Sequence, residues 1–316
     1  MTIHQQFAAG IDLGSNTFRL LVAECSGENQ QTMVKQMVAV RLGRGLQESR
    51  MLHEVAMHKG FETLRTFRNI LDQYKPESIR VCGTEALRRA RNNHLFLEKA
   101  AEILGTRIEI LNGAEEARLS LAGVMAGFRG SLATPLLLVD VGGGSTELLF
   151  SEDSFCRDTE SVSINLGVVS LTEKFFALLP PDVEPLDREL AVTVRSALKK
   201  LGIMEEYAPV NIIGCGGTAT SMAALDLNLA AYNESLVQGH VLRYSAIERL
   251  WNKLVNLSSD MRSTLPCLGE GRGEILPAGI RIYFILLKIL RQDRMMVSDA
   301  GLLEGIMLSS LSHTTA

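Results

Sequence analysis

The chain has 316 residues, 46% of them apolar and 22% charged, which is enough apolar sequence for about two packed domains. Its net charge is −4, with residues 1–125 contributing +2 and the rest −6, which argues against a broad basic surface for nucleic acid. The N-terminal stretch MTIHQQFAAG lacks the basic and apolar regions of a signal peptide, and the run IYFILLKIL is too short to span a bilayer. We therefore expect neither a nucleic-acid nor a membrane partner.

The five cysteines are scattered and form no C-x-x-C pair. Cys82 and Cys215 end apolar runs, a position typical of a buried free thiol rather than of a redox or metal site. This pattern suits a reducing compartment, so we expect a cytoplasmic protein.

The first half of the chain predicts strands and helices in alternation. Strands are expected at 7–13, 17–24, 31–43, 78–82 and 107–113. Helices are expected at 52–74, at 84–92 after a threonine turn, at 93–105 and at 114–128. The stretch RGSLATP, residues 129–135, reads as a linker.

The second half begins again with strands. These are expected at 136–141, 146–150, 155–167, 210–215 and 294–298. Helices are expected in two stretches between 168 and 202, and at 216–226, 245–256, 274–290 and 299–311. Ser245 and Glu248 have the spacing of a capping box, the helix at 274–290 is apolar enough to be buried, and 226–239 is expected to be a loop.

The order strand-strand-strand-helix-strand-helix thus occurs twice. This repetition predicts an α/β protein of two related domains, at 1–126 and 127–316, with a cleft between them. The pattern leaves open whether the last helix, about 299–311, packs back on the first domain.

Two similar turns, DLGSNT and DVGGGSTE, begin these halves. Gly14, Ser15, Asn16 and Thr17 form the first, and the second comprises Gly142, Gly143, Gly144, Ser145 and Thr146. Such turns expose backbone amides that bind phosphate oxygens, whereas the alternative for either turn alone is ordinary hairpin chemistry. A carboxylate beside a bound phosphate repels it unless the carboxylate holds a cation or orients water, and Asp12 and Asp140 stand in that position.

Together with GTEALRRARN, GAEEARL, GCGGTATSMAAL and SDAGLLEGIM, these turns resemble the exopolyphosphatase/guanosine pentaphosphate phosphohydrolase family. The resemblance runs from about Ala9 to Leu308, and it is closest to the short, two-domain members. It implies two ribonuclease-H-like domains of the actin-like ATPase superfamily. It also implies Mg²⁺ as cofactor, and a homodimer, because members of the family often form dimers.

The resemblance implies a role for each matched residue. Glu116 matches the general base, Asp140 and Glu147 match the Mg²⁺ ligands, and Arg88 matches an arginine that contacts phosphate. The two turns match phosphate loops. The residues matching the lining of the cleft are Asp12, Gly216, Gly217 and Thr218.

Other interpretations of these residues stay open. Glu115 and Glu116 lie in the first turn of a helix, where acids are common, and Glu115 is expected to be solvated. Arg88 could belong to an exposed helix face, and Arg19 could point into the cleft. The six histidines lack the spacing of metal ligands.

The leading hypothesis is hydrolysis of a terminal phosphoanhydride, in inorganic polyphosphate or guanosine pentaphosphate. The alternatives are a phosphotransferase of the same superfamily and a non-catalytic alarmone sensor. A sensor could lack the base or the metal ligands, but all three acids are present.

Overall fold

The computed structural model describes residues 6–26, 29–130, 132–153, 156–176, 181–203 and 210–313. The chain divides into two compact units, unit 1 comprising 1–123 and 302–316, and unit 2 comprising 124–301. The segment from Leu302 onward therefore belongs to unit 1, whereas the second domain expected from the sequence extends to residue 316.

The secondary-structure elements alternate along the described residues. The strands are β1 (Gln6–Leu13), β2 (Thr17–Ser26), β3 (Asn29–Ala39), β4 (Ser78–Gly83), β5 (Glu109–Ile110), β6 (Leu136–Val141), β7 (Thr146–Ser151), β8 (Glu160–Ile164), β9 (Asn211–Cys215), β10 (Val241–Arg243) and β11 (Arg294–Val297). The helices are α1 (Leu46–Ser49), α2 (Glu54–Tyr74), α3 (Glu85–Arg89), α4 (Asn93–Leu104), α5 (Gly113–Gly127), α6 (Val168–Phe175), α7 (Val183–Lys200), α8 (Gly216–Asp226), α9 (Glu234–Val237), α10 (Tyr244–Leu254), α11 (Ser259–Ser263), α12 (Arg272–Leu290) and α13 (Leu302–His313). Among these helices none is both long and apolar enough to cross a membrane.

Unit 1 contains a sheet with the order β3-β2-β1-β4-β5. β1, β2 and β3 are antiparallel neighbours, whereas β4 runs parallel to β1 and β5 parallel to β4. The central strand β1 is buried on both faces, because Ile11 and Leu13 join the core formed with α2 and α4, while Ala8 joins Leu303 and Met307 of α13. This two-sided burial explains the nearly unbroken apolar sequence of β1.

Unit 2 contains a sheet with the order β10-β11-β9-β6-β7-β8. β6, β7 and β8 are antiparallel neighbours, and β9 and β11 continue the sheet in parallel with β6. The expected buried helix is confirmed as α12, whose Tyr283 is fully buried and donates a hydrogen bond to the carbonyl of Val139, at 3.0 Å. Burial raises the pKa of this phenol, so it stays neutral in the core.

Each unit therefore begins with three antiparallel strands and continues with parallel strands on the other side of the first one. This repetition confirms the duplicated α/β plan read from the sequence. Both polar turns identified in the sequence connect the first and second strands of their units.

Several local predictions were wrong. The strand expected at 155–167 is limited to β8, and Cys156 has a positive φ of 51°, which interrupts extended backbone. The strand expected at 107–113 is limited to the two residues of β5. Helix α10 begins at Tyr244, so Ser245 lies inside the helix and does not cap it, and the loop expected at 226–239 contains α9. The expected burial of Cys82 and Cys215 is confirmed, and the five cysteines form no disulfide.

Candidate functional site

The first turn, Gly14–Asn16, connects β1 and β2 and is held through its carbonyl groups. The amide of Gly14 donates to the carbonyl of Thr17, at 3.2 Å, which closes the hairpin. The carbonyls of Ser15 and Asn16 accept hydrogen bonds from Gly43 at 2.7 Å and Arg41 at 2.8 Å. Among the described residues, the amides of Ser15 and Asn16 make no hydrogen bond. The turn thus has the arrangement of an anion-binding nest.

Asp12 lies just before this turn and is 2% exposed. It stands opposite Arg19 in the β1–β2 register, and the guanidinium of Arg19 donates to its carboxylate at 2.8 Å. Arg19 therefore compensates the buried charge of Asp12. The structure thus brings both side chains together in one ion pair.

The carboxyl ends of β1, β4 and β5 lie along one edge of the unit 1 sheet, because these three strands are parallel. α3 begins after β4 and carries Arg88, and α5 begins after β5 and carries Glu116. The guanidinium of Arg88 donates to the carbonyl of Leu111 at 2.6 Å and to Glu116 Oε2 at 3.3 Å. Arg88 is therefore engaged with a carboxylate and a backbone carbonyl, and not part of a freely solvated helix face.

Glu116 is 7% exposed and lies in the first turn of α5. Asn112 caps this helix, since its side-chain oxygen accepts from the amide of Glu115 at 2.9 Å. The N-terminal end of the helix and Arg88 both stabilise negative charge on Glu116.

Glu115 differs from its neighbour. Its carboxylate accepts a hydrogen bond from the buried Arg80 at 3.0 Å, and Arg80 also contacts Glu109 at 2.7 Å and Ser309 of α13 at 2.8 Å. The expectation that Glu115 is simply solvated is therefore wrong. It belongs to an ion-pair network that connects α5, β4, β5 and α13 within unit 1.

The second turn, Gly142–Ser145, connects β6 and β7 in unit 2. The amide of Gly142 donates to the carbonyl of Ser145 at 2.9 Å, and the carbonyls of Gly142 and Gly143 accept from Val168 and Val169, in the first turn of α6. In the described part of the chain, the amides of Gly143, Gly144 and Ser145 make no hydrogen bond. As in unit 1, the turn is fixed through its carbonyls and presents its amides.

Two further contacts fix this turn, one made by Gly167 and one made by Thr146. A Cβ atom at Gly167 would lie 2.2 Å from the carbonyl carbon of Gly144, so only glycine permits this approach. Thr146 donates its hydroxyl hydrogen to the carbonyl of Leu166 at 2.5 Å, which anchors the start of β7. The sequence did not identify Gly167, and its only signal was a glycine immediately before a helix.

Asp140 and Glu147 flank the second turn on neighbouring strands. They are 8% and 2% exposed and stand directly opposite each other in the β6–β7 register, so both side chains project from the same face of the sheet. Glu147 Oε1 accepts hydrogen bonds from Ser145 and from Ser163 of β8, both at 2.8 Å. Ser163 was not identified from the sequence, because only the strand register brings it to Glu147.

The N-terminus of α8 follows β9 at the same edge of the unit 2 sheet. Gly216 has a φ of 77°, and a Cβ atom there would lie 2.4 Å from Asp140 Oδ1. The carbonyl of Gly217 accepts a hydrogen bond from Arg272 at 3.2 Å, a residue that the sequence did not single out. Thr218 is 6% exposed, and its side chain packs against Gly279 of α12.

The acid pair of unit 2 is suited to one kind of Mg²⁺ site, in which protein carboxylates supply only some of the ligands. No group of three or more His, Cys, Asp or Glu side chains suited to a metal occurs among the described residues. Mg²⁺ is, however, commonly bound by one or two carboxylates together with substrate phosphates and water, and Asp140 and Glu147 supply such a pair.

Comparison with known proteins places the chain in a family. The profile of the Ppx/GppA phosphatase family matches residues 21–314, and the chain belongs to this family. A solved structure of the Aquifex aeolicus member is 30% identical, with a TM-score of 0.80 over 99% of this chain and 100% of that one. The two sheets are accordingly those of the actin-like ATPase fold.

Curated relatives carry two kinds of names. A guanosine-5'-triphosphate,3'-diphosphate pyrophosphatase of Vibrio vulnificus is 32% identical over 306 residues, covering 96% of this chain and 59% of the relative. The chain thus spans less than two thirds of that protein. Exopolyphosphatase 2 of Mycobacterium tuberculosis is 29% identical over 321 residues and is covered over 97% of its length.

Proposed function

We propose that the chain hydrolyses a terminal phosphoanhydride bond and releases orthophosphate, with inorganic polyphosphate or guanosine pentaphosphate as the substrate. The observation that carries this proposal is the buried acid pair, Asp140 and Glu147, beside a turn that presents three amides. The names of the relatives support the same chemistry, since an exopolyphosphatase and a guanosine pyrophosphatase both cleave a bond between two phosphates.

The cluster of unit 2 is proposed to bind the phosphates. The amides of Gly143, Gly144 and Ser145 would donate to phosphate oxygens, as backbone nests do. Asp140 and Glu147 would hold Mg²⁺, which, when bound, neutralises charge on the phosphate oxygens. Without such compensation the two carboxylates would repel the substrate, so the acid pair itself favours a cation-dependent reaction.

The cluster of unit 1 is proposed to prepare the water. Glu116 would accept a proton from water while the water oxygen forms a bond to the terminal phosphorus. The bond from that phosphorus to the bridging oxygen breaks at the same time, and the shortened chain leaves with the electron pair. Arg88 is proposed to orient Glu116 through their contact at 3.3 Å and to contribute positive charge towards phosphate. The turn Gly14–Thr17 is proposed as a second phosphate loop.

The proposal extends to location and assembly. Five cysteines that form no disulfide suit the reducing cytoplasm, which we propose as the location. A homodimer is proposed because members of the family often form dimers, and size-exclusion chromatography with light scattering tests the oligomeric state directly. A monomeric mass at all concentrations would remove the dimer from the proposal without affecting the chemistry.

The test is phosphate release from polyphosphate of several lengths and from guanosine pentaphosphate, with and without Mg²⁺. We expect release that requires the cation and falls strongly in Asp140→Asn. The matched control is Asp153→Asn, which removes a carboxylate from the same unit, two residues beyond the end of β7 and outside the cluster. No release from any of these substrates with Mg²⁺ present would refute the proposal, and ATP-dependent phosphorylation of a metabolite would favour a phosphotransferase.

A further inference from the structure

The carboxylate of Glu147 is held by two serine hydroxyls. Ser145 Oγ and Ser163 Oγ each donate a hydrogen bond of 2.8 Å to the same oxygen, Oε1. Ser145 belongs to the turn before β7, whereas Ser163 lies on β8, directly opposite Glu147 in the register of the two strands. The three residues come together because of a strand pairing and not because of a local motif.

Two donors on one oxygen fix how the carboxylate is rotated. An ionised carboxylate only accepts hydrogen bonds, and bonds to it are stronger than those between neutral groups. With Oε1 anchored from two sides, the direction of Oε2 is set as well. Ligands of a metal must lie within about 0.5 Å of their working position, and a glutamate side chain with three rotatable bonds does not achieve this alone.

We infer that Ser163 is a positioning residue that orients Glu147 for binding a divalent cation. The inference rests on the metal-binding role proposed above for Glu147. Ser163 is distinct from Ser145 in one useful respect, because it lies outside the phosphate loop. Its hydroxyl can be removed without altering the backbone that presents the amides.

A purely structural role would have a different signature. Loss of a polar cross-strand pair that acts only on the sheet would weaken the strand pairing and leave cation affinity unchanged. Ser161 provides the matched control, because it lies on the same strand and face but stands opposite Leu149 instead of Glu147. Ser161→Ala removes a hydroxyl from β8 without touching the carboxylate.

The experiment measures binding of Mn²⁺ alone, by electron paramagnetic resonance, to wild type, Ser163→Ala, Ser163→Thr and Ser161→Ala. Loss of a hydrogen bond to a metal-binding side chain typically weakens metal binding 10–100-fold. We expect about 10-fold for Ser163→Ala, the lower end, because Ser163 is exposed and water can partly replace its hydroxyl. Ser163→Thr should restore the affinity, and Ser161→Ala should match the wild type.

The outcomes separate this inference from the proposed function. Wild-type affinity in Ser163→Ala overturns the inference even if the protein releases phosphate. An equal loss in Ser163→Ala and Ser161→Ala also overturns it, because the effect would then be one of strand stability. If the wild type binds Mn²⁺ but releases no phosphate, the hydrolase proposal fails, and a selective loss in Ser163→Ala still supports the inference. Absence of Mn²⁺ binding in the wild type would overturn the inference about Ser163.

Discussion

Replacing Gly216 by alanine tests whether the position of the Asp140 carboxylate controls the proposed reaction. Gly216 is the first residue of α8 and has a φ of 77°. A Cβ atom added there would lie 2.4 Å from Asp140 Oδ1, whereas ordinary contacts need roughly 3.5 Å. The carboxylate would therefore have to move by roughly 1 Å.

The cost of this change divides into two parts. An alanine in a left-handed conformation costs about 1–2 kcal/mol of stability. The contact with Asp140 adds little to that loss, because a carboxylate at the end of a short side chain can rotate away. The contact with Asp140 is expected to lower the reaction rate instead, because a misplacement of about 1 Å can reduce the rate about 10²-fold.

Gly202→Ala is the matched control for the backbone effect. Gly202 lies in the same unit and has a φ of 71°, but no atom lies within 4 Å of its added Cβ. Both variants should lose similar stability in thermal unfolding, within about 1 kcal/mol of each other. Only Gly216→Ala should lose about 10²-fold in kcat for phosphate release and require more Mg²⁺. If its kcat and Mg²⁺ requirement stay within about twofold of those of Gly202→Ala, the reasoning about Asp140 is refuted.

Three further changes test other parts of the molecule. Glu116→Gln keeps an oxygen for Arg88 but cannot take up the proton of the attacking water. In steady-state assays kcat should therefore fall by about 10²-fold or more while KM changes little, and near-normal turnover would remove Glu116 from the mechanism. Gly305→Ala would bring a Cβ to 1.9 Å from the carbonyl oxygen of Leu119. The forced separation of α13 and α5 should lower the free energy of unfolding by about 3 kcal/mol, and an unchanged midpoint of urea unfolding would contradict this. Burial raises the pKa of the Cys82 thiol from 9.0 to about 12, so between these pH values the thiol is neutral in the folded protein and ionises in the unfolded one. The free energy of unfolding should therefore fall between pH about 9 and 12, by up to about 1.4 kcal/mol per pH unit. Urea titrations of Cys82→Ala should show a smaller loss over the same range.

The sequence predicted those features that depend on neighbouring residues. Both polar turns were identified because an acid, glycines and hydroxyl residues follow each other directly after an apolar strand. The long helix α2 was identified by its spacing of buried residues, such as Leu64, Phe67 and Leu71. Local sequence suffices in these cases, since the pattern and the structure involve the same few residues.

The sequence did not predict contacts made by pairing distant segments. Ser163 reaches Glu147 only because β7 and β8 have one particular register, and a shift by one residue would turn Ser163 to the other face. Arg272 reaches Gly217 across 55 positions of the chain, because α12 packs beside α8. Gly167 is needed because α6 begins against the second turn, which no pattern within the turn reveals.

The adjacent acids Glu115 and Glu116 illustrate why the roles of similar residues require the structure. Both occupy the first turn of α5 and have the same local preference for a helix N-terminus. Their environments differ because successive residues of a helix point about 100° apart. One carboxylate meets Arg80 of strand β4, and the other meets Arg88 of the helix that follows β4. Glu115 belongs to a network with Arg80 and Glu109 within the sheet, whereas Glu116, in the helix that follows the carboxyl end of β5, pairs with Arg88. This difference in partners, and not the local sequence, favours Glu116 as the proposed base.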